Sequence, residues 1–358
     1  MLSERIRKLM NFITHSTDAV IIYTPANRFY FTGFMSSDGV LVVTKNRAVY
    51  FLDGRYYGAA AEHVADGIEP VLMTKLSEQL KHMMYDLGAE NVMLESGITV
   101  SDLERFGSIL DGMSVSASPQ LDAFIASARA VKSKEEAECI ERAQRITEKG
   151  FEGILSFIRP GMTEKEIKAE LEYIMMKNGA DATAFETIAA GGINSAVPHA
   201  VPGDYRLKDG DFLVMDFAAR LNGYDSDMTR TVCIGQPDDE MVKVYNTVLE
   251  AQMEALSAVK AGAAASEIDA VARDVISAAG YGDYFTHSTG HGVGIDIHEA
   301  PTVSRLSEKV LEEGNIITIE PGIYLAGRFG VRIEDMVCVT RSGCKNFTKA
   351  DKELIIIA

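Results

Sequence analysis

Histidine and glycine are concentrated in one short stretch of the sequence, HSTGHGVGIDIHEAP at residues 287–301. It holds His287, His291 and His298, three of the seven histidines in the chain, interleaved with glycines. Three kinds of site fit this composition: a packed loop whose histidines only satisfy backbone groups, a glycine-rich phosphate cradle, or a metal or acid–base centre. The other chemically active residues of the chain distinguish among them.

Two acidic residues lie among apolar ones in the segment DGDFLVMDFAARLNGYDSDMTRTVCIG. Its Asn222-Gly223 dipeptide is typical of a two-residue turn between antiparallel strands. With that turn, Asp227 faces Ala218, and Asp216 lies two positions further along the same face of the hairpin. Such diagonal neighbours lie roughly 7–8 Å apart at the backbone, and two buried carboxylates so placed repel each other unless a cation lies between them.

A second segment, GNIITIEPGIYLAGRFGVRIEDMVCVT, repeats this arrangement. Glu320 ends an apolar run just before a turn predicted at Pro321-Gly322, and Glu334 lies in the following strand. Four carboxylates and one imidazole form an oxygen-rich ligand set that suits Mn²⁺, Co²⁺ or Zn²⁺ better than a thiolate metal. Because so many carboxylates exceed the needs of one ion, we expect two divalent ions that share bridging carboxylates and a bridging water.

Each of the four carboxylates also has a plain structural explanation, an ion pair or a strand end. These alternatives are Asp216 with Arg220 or Arg230, Asp227 with Arg230, Glu334 with Arg332, and Glu320 as a strand end. Taken singly, each of these explanations competes with a metal-binding role for its residue. Together they require four coincidences, so the pattern favours a metal centre.

The elements that must position these residues fall into two parts. The first is an α/β domain that begins with an amphipathic helix over residues 3–14, capped by Ser3. Strands are predicted at DAVIIYT, GVLVVT, RAVYFLD and NVMLE, and helices at KLSEQLKHMMYDLGA and VSDLERFGSIL, with PANRFYFTGFMSSDG as a connection. We place the boundary between residues 1–127 and residues 128–358.

The second part begins with a long helix whose start is marked by a capping box, Ser133 with Glu136. Helices predicted at 134–157, 163–178, 238–260 and 265–279 alternate with the two strand–turn–strand segments. Hairpins that alternate with helices indicate a largely antiparallel sheet. The predicted fold class is therefore α+β, a mixed α/β protein of two domains.

The amino-acid composition limits the kinds of molecule that the protein is expected to bind. The 358 residues include 35 basic and 52 acidic side chains, a net charge of −17 at pH 7, which would repel nucleic acid and anionic membranes. None of the four cysteines belongs to a CxxC pair, which is typical of reduced thiols. There is no apolar run long enough to span a membrane and no secretory h-region, so we expect a cytoplasmic protein without nucleic-acid or membrane partners.

Five sequence blocks resemble, in order and spacing, the signatures of the pita-bread metallopeptidases. They are NSAVPHA, DFAARLNGYDSDMTRTV, HSTGHGVGIDIHEAP, TIEPGIY and VRIEDMV. Within that group the chain is most similar to bacterial Xaa-Pro aminopeptidases and prolidases (Xaa-Pro dipeptidases), because ANRFYFTGF and FLDGRYY resemble the N-terminal domain of that subgroup. The resemblance implies a creatinase/prolidase-like domain over residues 1–127 and a pita-bread catalytic domain over residues 128–358.

The resemblance also implies a role for each site residue. The metal ligands would be Asp216, Asp227, His291, Glu320 and Glu334. Asp227 and Glu334 would bridge the two ions, and Glu320 would also take the proton of the attacking water and later deliver it to the leaving amine. His199 and His298 match substrate-facing catalytic histidines, and Arg332 matches a substrate-binding arginine. His287 has no matching ligand role and is expected to be structural.

These roles settle how the glycine-rich stretch is interpreted. Its glycines are expected to let the backbone approach the metal site closely. The phosphate-cradle interpretation fails, because the spacing GxGxG lacks the remaining glycine of a dinucleotide fingerprint and occurs late in the chain.

We therefore predict a metal-dependent peptidase that hydrolyses the Xaa-Pro bond at the N-terminus of short peptides. Many prolidases, and some aminopeptidases, carry an arginine directly after the HExP block, where this chain has Thr302. This favours an aminopeptidase over the alternative, a dipeptidase in which Arg332 or Arg55 binds the free carboxylate. A metal-independent creatinase-like C–N hydrolase and a non-catalytic binding module are more distant alternatives. The resemblance further implies a homodimer and Mn²⁺ as the first choice of metal, with Co²⁺ and Zn²⁺ as alternatives.

Overall fold

The computed structural model describes residues 3–358. The chain forms two compact units, Met1–Arg129 and Ala130–Ala358. Among the described residues, no helix is both long enough and apolar enough to cross a membrane.

The first unit is a six-stranded mixed sheet covered by helices. Its strands are β1 (Asp18–Ile22), β2 (Val40–Thr44), β3 (Ala48–Leu52), β4 (Glu69–Leu72), β5 (Asn91–Leu94) and β6 (Ser114–Ala117). Its helices are α1 (Glu4–Phe12), α2 (Pro25–Thr32), α3 (Tyr57–His63), α4 (Leu76–Asp86), α5 (Val100–Ile109) and α6 (Pro119–Ala130). The strand order is β4-β3-β2-β1-β5-β6, with β1, β5 and β6 parallel to one another. The predicted α/β character and the Ser3 cap of α1 are confirmed.

The prediction of a plain connection at PANRFYFTGFMSSDG is wrong, because α2 lies within it. Pro25 occupies the first turn of α2, where its fixed φ suits a helix and its missing N–H costs nothing. Gly33 ends the helix at φ 67°, a left-handed conformation that glycine adopts without strain. These two signals define a helix too short for its apolar periodicity to stand out. Sequence patterns also give no indication of α3 or α6.

The second unit contains four long helices, as predicted. They are α7 (Lys134–Leu155), α8 (Glu164–Lys177), α9 (Asp239–Ala258) and α10 (Ala265–Ala278). The capping box at the start of α7 is present, since Glu136 N donates to Ser133 Oγ and Ser133 N donates to the Glu136 carboxylate. Helices α7 and α8 share one apolar core with the first hairpin, and α9 and α10 share another with the second.

The strands of the second unit are short and mainly antiparallel, which confirms the α+β prediction. They are β7 (Ala182–Thr183), β8 (Ile188–Gly191), β9 (Asp211–Asp216), β10 (Ala219–Leu221), β11 (Tyr224–Asp225), β12 (Thr229–Ile234), β13 (Gly290–Gly292), β14 (Glu299–Val303), β15 (Ile316–Ile319), β16 (Gly322–Leu325), β17 (Phe329–Arg332), β18 (Asp335–Thr340), β19 (Gly343–Asn346) and β20 (Ile356–Ile357). The two larger sheets have the orders β20-β12-β9-β8 and β14-β13-β15-β18-β19. Only the β12–β20 pair is parallel among the described pairings of this unit.

The first hairpin has the predicted register. Asn222 and Gly223 both have positive φ, 50° and 80°, as a type I′ turn requires. Leu221 faces Tyr224 beside the turn, and the same register places Thr229 opposite Asp216 further along. Asp216 therefore lies at the end of β9, at the point where the ladder is interrupted.

In the second hairpin the turn predicted at Pro321-Gly322 is wrong. The chain reverses at residues 326–328, between β16 and β17. Pro321 only interrupts the ladder, because a proline has no N–H to donate. The register is the same on both sides of this interruption, with Ile319 opposite Asp335 and Gly322 opposite Arg332. Glu320 and Glu334 flank it, as Asp216 flanks the break in the first hairpin.

Candidate metal centre

A pocket of about 600 Å³ opens in the second unit and is lined by every residue that the sequence assigns to the site. Those residues are Asp216, Asp227, His291, Glu320, Glu334, His199, His298 and Arg332. They come from both hairpins, the β13–β14 region and the loop before β9. The pocket therefore brings together side chains that are more than a hundred positions apart in the sequence.

Three of these residues form a tight cluster at the base of the pocket. Asp227, His291 and Glu334 each offer one ligand atom, and these atoms all lie within 4.8 Å of one another. Asp227 and Glu334 are buried, and Glu334 Oε2 accepts a hydrogen bond of 2.7 Å from Thr229 Oγ1. That bond fixes one carboxylate oxygen of Glu334.

His291 is oriented by its own strand and by Thr318. Its Nδ1 lies 3.1 Å from the carbonyl oxygen of Gly292, so Nε2 faces the carboxylates, 3.2 Å from Glu320 Oε1 and 3.6 Å from Asp227 Oδ2. Thr318 Oγ1 accepts from His291 N and donates to Glu320 Oε1, both at 3.1 Å. Such hydrogen bonds to ligand side chains set the tautomer and direction of an imidazole that binds a metal.

Asp216 is held by Arg332, whose Nη2 donates to Asp216 Oδ2 at 2.6 Å. The same buried guanidinium donates to Tyr324 Oη, to the carbonyl oxygen of Pro198 and to Thr229 Oγ1. All of its nitrogens are thus engaged within the protein. The arginine secures one oxygen of Asp216 and leaves the other oriented into the site.

The ion pairs considered as structural explanations do not form. Arg220 pairs with Asp225 and Arg230 pairs with Asp335, so neither reaches Asp216 or Asp227. Arg332 pairs with Asp216 rather than with its near neighbour Glu334. Arg332 and Glu334 would share a face of the sheet if β17 continued through both, because side chains two apart on a strand point the same way. Since β17 ends at Arg332, the two side chains need not point in the same direction.

The carboxylates perturb one another strongly in the absence of an ion. Burial, followed by the charges of neighbouring carboxylates, raises the pKa of both Asp227 and Glu334 well above the ordinary range. Burial raises the pKa of Asp216 in spite of Arg332. Burial acts on Glu320 in the same direction, but the hydrogen bond and charge of His291 outweigh it and lower its pKa to about 2. A concentration of buried negative charge of this kind calls for a cation.

Two carboxylate oxygens that lack a protein partner show that the residues of the pocket suit divalent metal ions. Oδ1 of Asp216 and Oδ1 of Asp227 are buried, and no described residue donates a hydrogen bond to either. A buried acceptor without a partner costs about 1–3 kcal/mol, and more when it is charged. Both residues line the pocket that also contains the imidazole and the other carboxylates, a donor set suited to Mn²⁺, Co²⁺ or Zn²⁺.

The outer part of the pocket presents histidines beside an apolar wall. The ring of His298 lies edge-on to that of His291, with centroids 4.3 Å apart, and the side chain of His199 is exposed nearby. The apolar lining consists of Phe185, Ile188, Pro198 and Ile297. Thr302 is exposed at the same pocket. This surface can receive a small apolar ring and donate hydrogen bonds to a carbonyl group.

Close approach of neighbouring backbone explains the glycines on either side of His291, whereas the predicted approach of these glycines to the metal site stays a prediction. A Cβ on Gly290 would lie 1.9 Å from the carbonyl oxygen of Thr318, and one on Gly292 would lie 2.3 Å from that of Ala300. No side chain fits at either position, because backbone atoms cannot yield as a flexible side chain does.

Sequence reasoning missed Tyr324, which connects two parts of the site. Its hydroxyl lies 2.8 Å from His287 Nε2 and accepts from Arg332 Nη1 at 2.9 Å. His287, expected to be structural, thereby supports the arginine that holds Asp216. The sequence feature that could have indicated this role is a tyrosine inside the buried strand β16, where a hydroxyl group needs a hydrogen-bond partner.

Comparison with known proteins gives consistent matches over the whole chain. The sequence profile of metallopeptidase family M24 matches residues 138–341, and that of the creatinase/prolidase N-terminal domain matches residues 3–131. A Xaa-Pro dipeptidase from Pyrococcus furiosus is 40% identical over 356 residues, which cover 99% of this chain and 100% of the relative.

Solved structures agree with these matches. A Xaa-Pro dipeptidase from Bacillus anthracis superposes with a TM-score of 0.94 at 38% identity, covering 99% of both chains. An X-Pro aminopeptidase from Thermotoga maritima gives a TM-score of 0.90 at 36% identity, covering 97% of this chain and 99% of its own. The similar proteins thus bear the names of both dipeptidases and aminopeptidases.

Proposed function

The chain belongs to metallopeptidase family M24, and from that membership we propose that it is a metal-dependent Xaa-Pro aminopeptidase that removes the residue before proline from the N-terminus of short peptides. One observation carries the choice of aminopeptidase. Among the described residues that line the pocket, the only guanidinium belongs to Arg332, which is 3% exposed and fully engaged within the protein. A dipeptide's free carboxylate therefore meets no free arginine or lysine side chain among the residues that line the pocket.

The proposed metal ligands are Asp216, Asp227, His291, Glu320 and Glu334, and the proposed ions are two, with Mn²⁺ ahead of Co²⁺ and Zn²⁺. When bound, divalent ions supply Lewis-acid chemistry: they lower the pKa of water towards neutrality and polarise a carbonyl group. The oxygen-rich donor set and the two unpartnered oxygens of Asp216 and Asp227 support this assignment.

The protein's own side chains carry the proton transfers. We assign the general-base role to Glu320, whose carboxylate would accept the proton of the attacking water, as the family resemblance implies. The same carboxylate then delivers that proton to the leaving proline nitrogen. Thr318 keeps Oε1 of Glu320 in place through the 3.1 Å hydrogen bond.

Two histidines are proposed to bind the peptide carbonyl. Burial, and next the charge of His291, lowers the pKa of His298, so its ring is neutral at pH 7 and still has one N–H to donate. His199 contributes a second donor from the opposite loop. Donors directed at the oxygen that gains charge stabilise the transition state of amide hydrolysis.

Proline suits this pocket because its nitrogen has no hydrogen once it forms the peptide bond. The site need not accept an N–H from the leaving residue, and the ring can pack against Phe185, Ile188 and Ile297. A tertiary amide is thus accommodated without an unsatisfied donor.

A dipeptidase is the second candidate, because the Pyrococcus furiosus relative at 40% identity is a Xaa-Pro dipeptidase. In that case a cation from outside the pocket lining would bind the carboxylate. The creatinase-like hydrolase and the binding module have less support, because all five ligand positions are filled and the family is one of metallopeptidases.

We propose further that residues 1–127 form the creatinase/prolidase-like domain, that residues 128–358 form the catalytic domain, and that the protein is a homodimer. Four free cysteines fit a reducing compartment, so we assign the protein to the cytoplasm. Light scattering at micromolar concentration tests the dimer, and a monomer alone would contradict it.

Metal analysis tests the proposed function. We expect purified protein to contain divalent metal in a stoichiometric amount, to lose peptidase activity with chelator and to regain it with Mn²⁺. Activity that survives complete removal of metal would favour a creatinase-like hydrolase instead.

A further inference from the structure

A buried ion pair joins Lys132 to Glu299, one of the residues that line the pocket. Lys132 Nζ lies 2.7 Å from Glu299 Oε1, and the two side chains are only 1% and 9% exposed. The backbone of Lys132 is fixed as well, since its N–H donates to the carbonyl oxygen of Gly314 at 2.9 Å. Two charges withdrawn from water in this way persist only when each satisfies the other, so the pair is a rigid contact.

Glu299 connects this contact to the β13–β14 region that carries His291 and His298. It directly follows His298 in the sequence and faces Gly292, the residue after His291, across the β13–β14 pairing. The fold also reserves space for its carboxylate, because a Cβ on Gly294 would lie 2.2 Å from Glu299 Oε1. The glycine and the lysine thus fix the same side chain from two sides.

His298 has little else to fix its position. No described residue forms a hydrogen bond with its ring nitrogens, and its ring contact is the edge-on one with His291. Its side chain is exposed to the pocket. Its direction therefore depends on the backbone at the start of β14, which begins at the neighbouring Glu299.

We propose that Lys132, through its buried ion pair with Glu299, is a positioning residue that holds the start of β14, so that the imidazole of His298, the residue before it, faces the substrate. The role of His298 in this proposal rests on the proposed function. Lys132 does not touch the substrate; it acts through Glu299. An error of about 1 Å in the placement of a group that binds the reacting carbonyl can lower the rate about a hundredfold.

The first test compares Lys132→Met with wild type in the hydrolysis of Ala-Pro-Ala with Mn²⁺. We expect kcat/KM to fall about 10- to 100-fold, as for other residues that orient a functional side chain. The matched control is Lys345→Met, which removes an exposed ion pair with Glu141 in the same unit and is expected to leave kcat/KM unchanged. Lys132→Met leaves the carboxylate of Glu299 buried without a partner, which can prevent folding. In that case the double variant Lys132→Met with Glu299→Leu, which removes both charges, is assayed instead.

A double-mutant cycle distinguishes positioning from general support. If Lys132 acts through His298, then Lys132→Met in a His298→Ala background causes no further loss of kcat/KM. Losses that multiply would overturn the proposal, because independent effects add in free energy.

Hydrogen exchange on chelator-stripped protein gives a readout that needs no activity. We expect Lys132→Met to increase amide exchange at residues 297–303 while residues 211–234 stay protected. Unchanged exchange at 297–303, or a general increase across the unit, would overturn the proposal. If wild type fails to cleave Ala-Pro-Ala, the proposed function is wrong, and the exchange experiment still decides whether Lys132 holds this strand.

Discussion

Arg332 holds one oxygen of Asp216 at 2.6 Å and leaves the other without a protein partner. A single buried carboxylate is thus both neutralised by the protein and available to a cation. The pair joins the two hairpins, because Asp216 ends β9 and Arg332 ends β17. Arg332 thereby couples the stability of the second unit to the geometry of the proposed metal ligands.

This coupling predicts a large loss of stability for Arg332→Met. The substitution leaves Asp216 buried and unpaired, so the free energy of unfolding of the metal-free protein should fall by about 3–5 kcal/mol, measured by urea denaturation. The exposed pair of Arg328 with Glu240 is the control, and Arg328→Met should cost about 0–1 kcal/mol. Equal effects of the two substitutions would contradict the structural role given to Arg332.

Glu320→Gln should abolish most turnover without unfolding the protein. The amide cannot accept the proton of the attacking water, and we expect kcat to fall by at least about a hundredfold. His291→Ala should have a comparable effect through loss of a metal ligand. Circular dichroism checks the fold, and Glu308→Gln at an exposed position is the control. Near-normal activity of either folded site variant would show that the ligand assignment is wrong.

Metal-free protein should become less stable as the pH rises, because of Asp227. The folded-state pKa of this carboxyl is raised, by burial first and by Glu334 next. Protonation therefore favours the fold, fully so below the unfolded pKa of about 3.9, and the benefit is lost as the pH rises through the folded pKa. Asp227→Asn should accordingly raise the melting temperature of chelator-treated protein at pH 8 more than at pH 5.

Metal ions should reverse that trend in wild type only. Adding Mn²⁺ at pH 8 should raise the melting temperature of wild type, since an ion that binds only the folded state stabilises it, and should have much less effect on Asp227→Asn. An equal rise in the melting temperature of Asp227→Asn on addition of Mn²⁺ would show that Asp227 is not a metal ligand.

Thr302→Arg should shift the preference of the enzyme towards dipeptides. Thr302 is exposed at the pocket, and an arginine there can form charge-assisted hydrogen bonds with a free carboxylate. We expect kcat/KM for Ala-Pro to rise about 10-fold or more relative to Ala-Pro-Ala. Thr302→Met, which adds bulk without charge, is the control, and an equal shift in both variants would count against charge recognition.

Local chemistry explains what the sequence could predict. The Asn222-Gly223 turn has one favoured geometry, so the relative positions of Asp216 and Asp227 follow from it. Capping boxes mark helix starts equally well, as at Ser133. Such features depend on a few adjacent residues and no distant partner.

Contacts between distant segments could not be predicted in this way. The carboxylate with which Arg332 pairs depends on where β17 ends. Lys132 pairs with Glu299, more than 160 positions further along the sequence. The candidate carboxylates stood out because acidic residues are unusual in apolar strands, and the histidines and Arg332 were assigned from the family resemblance, whereas the residues that support them look ordinary in sequence. Tyr324 belongs to the same group.

The most direct test of the central claim is the cleavage of Ala-Pro-Ala and Ala-Pro by chelator-stripped protein, with and without added Mn²⁺. A metal-dependent Xaa-Pro aminopeptidase should release alanine from the tripeptide only when Mn²⁺ is present and should leave the dipeptide largely intact. Cleavage of the dipeptide alone would make the protein a prolidase, and cleavage of either peptide without metal would contradict the metal centre itself.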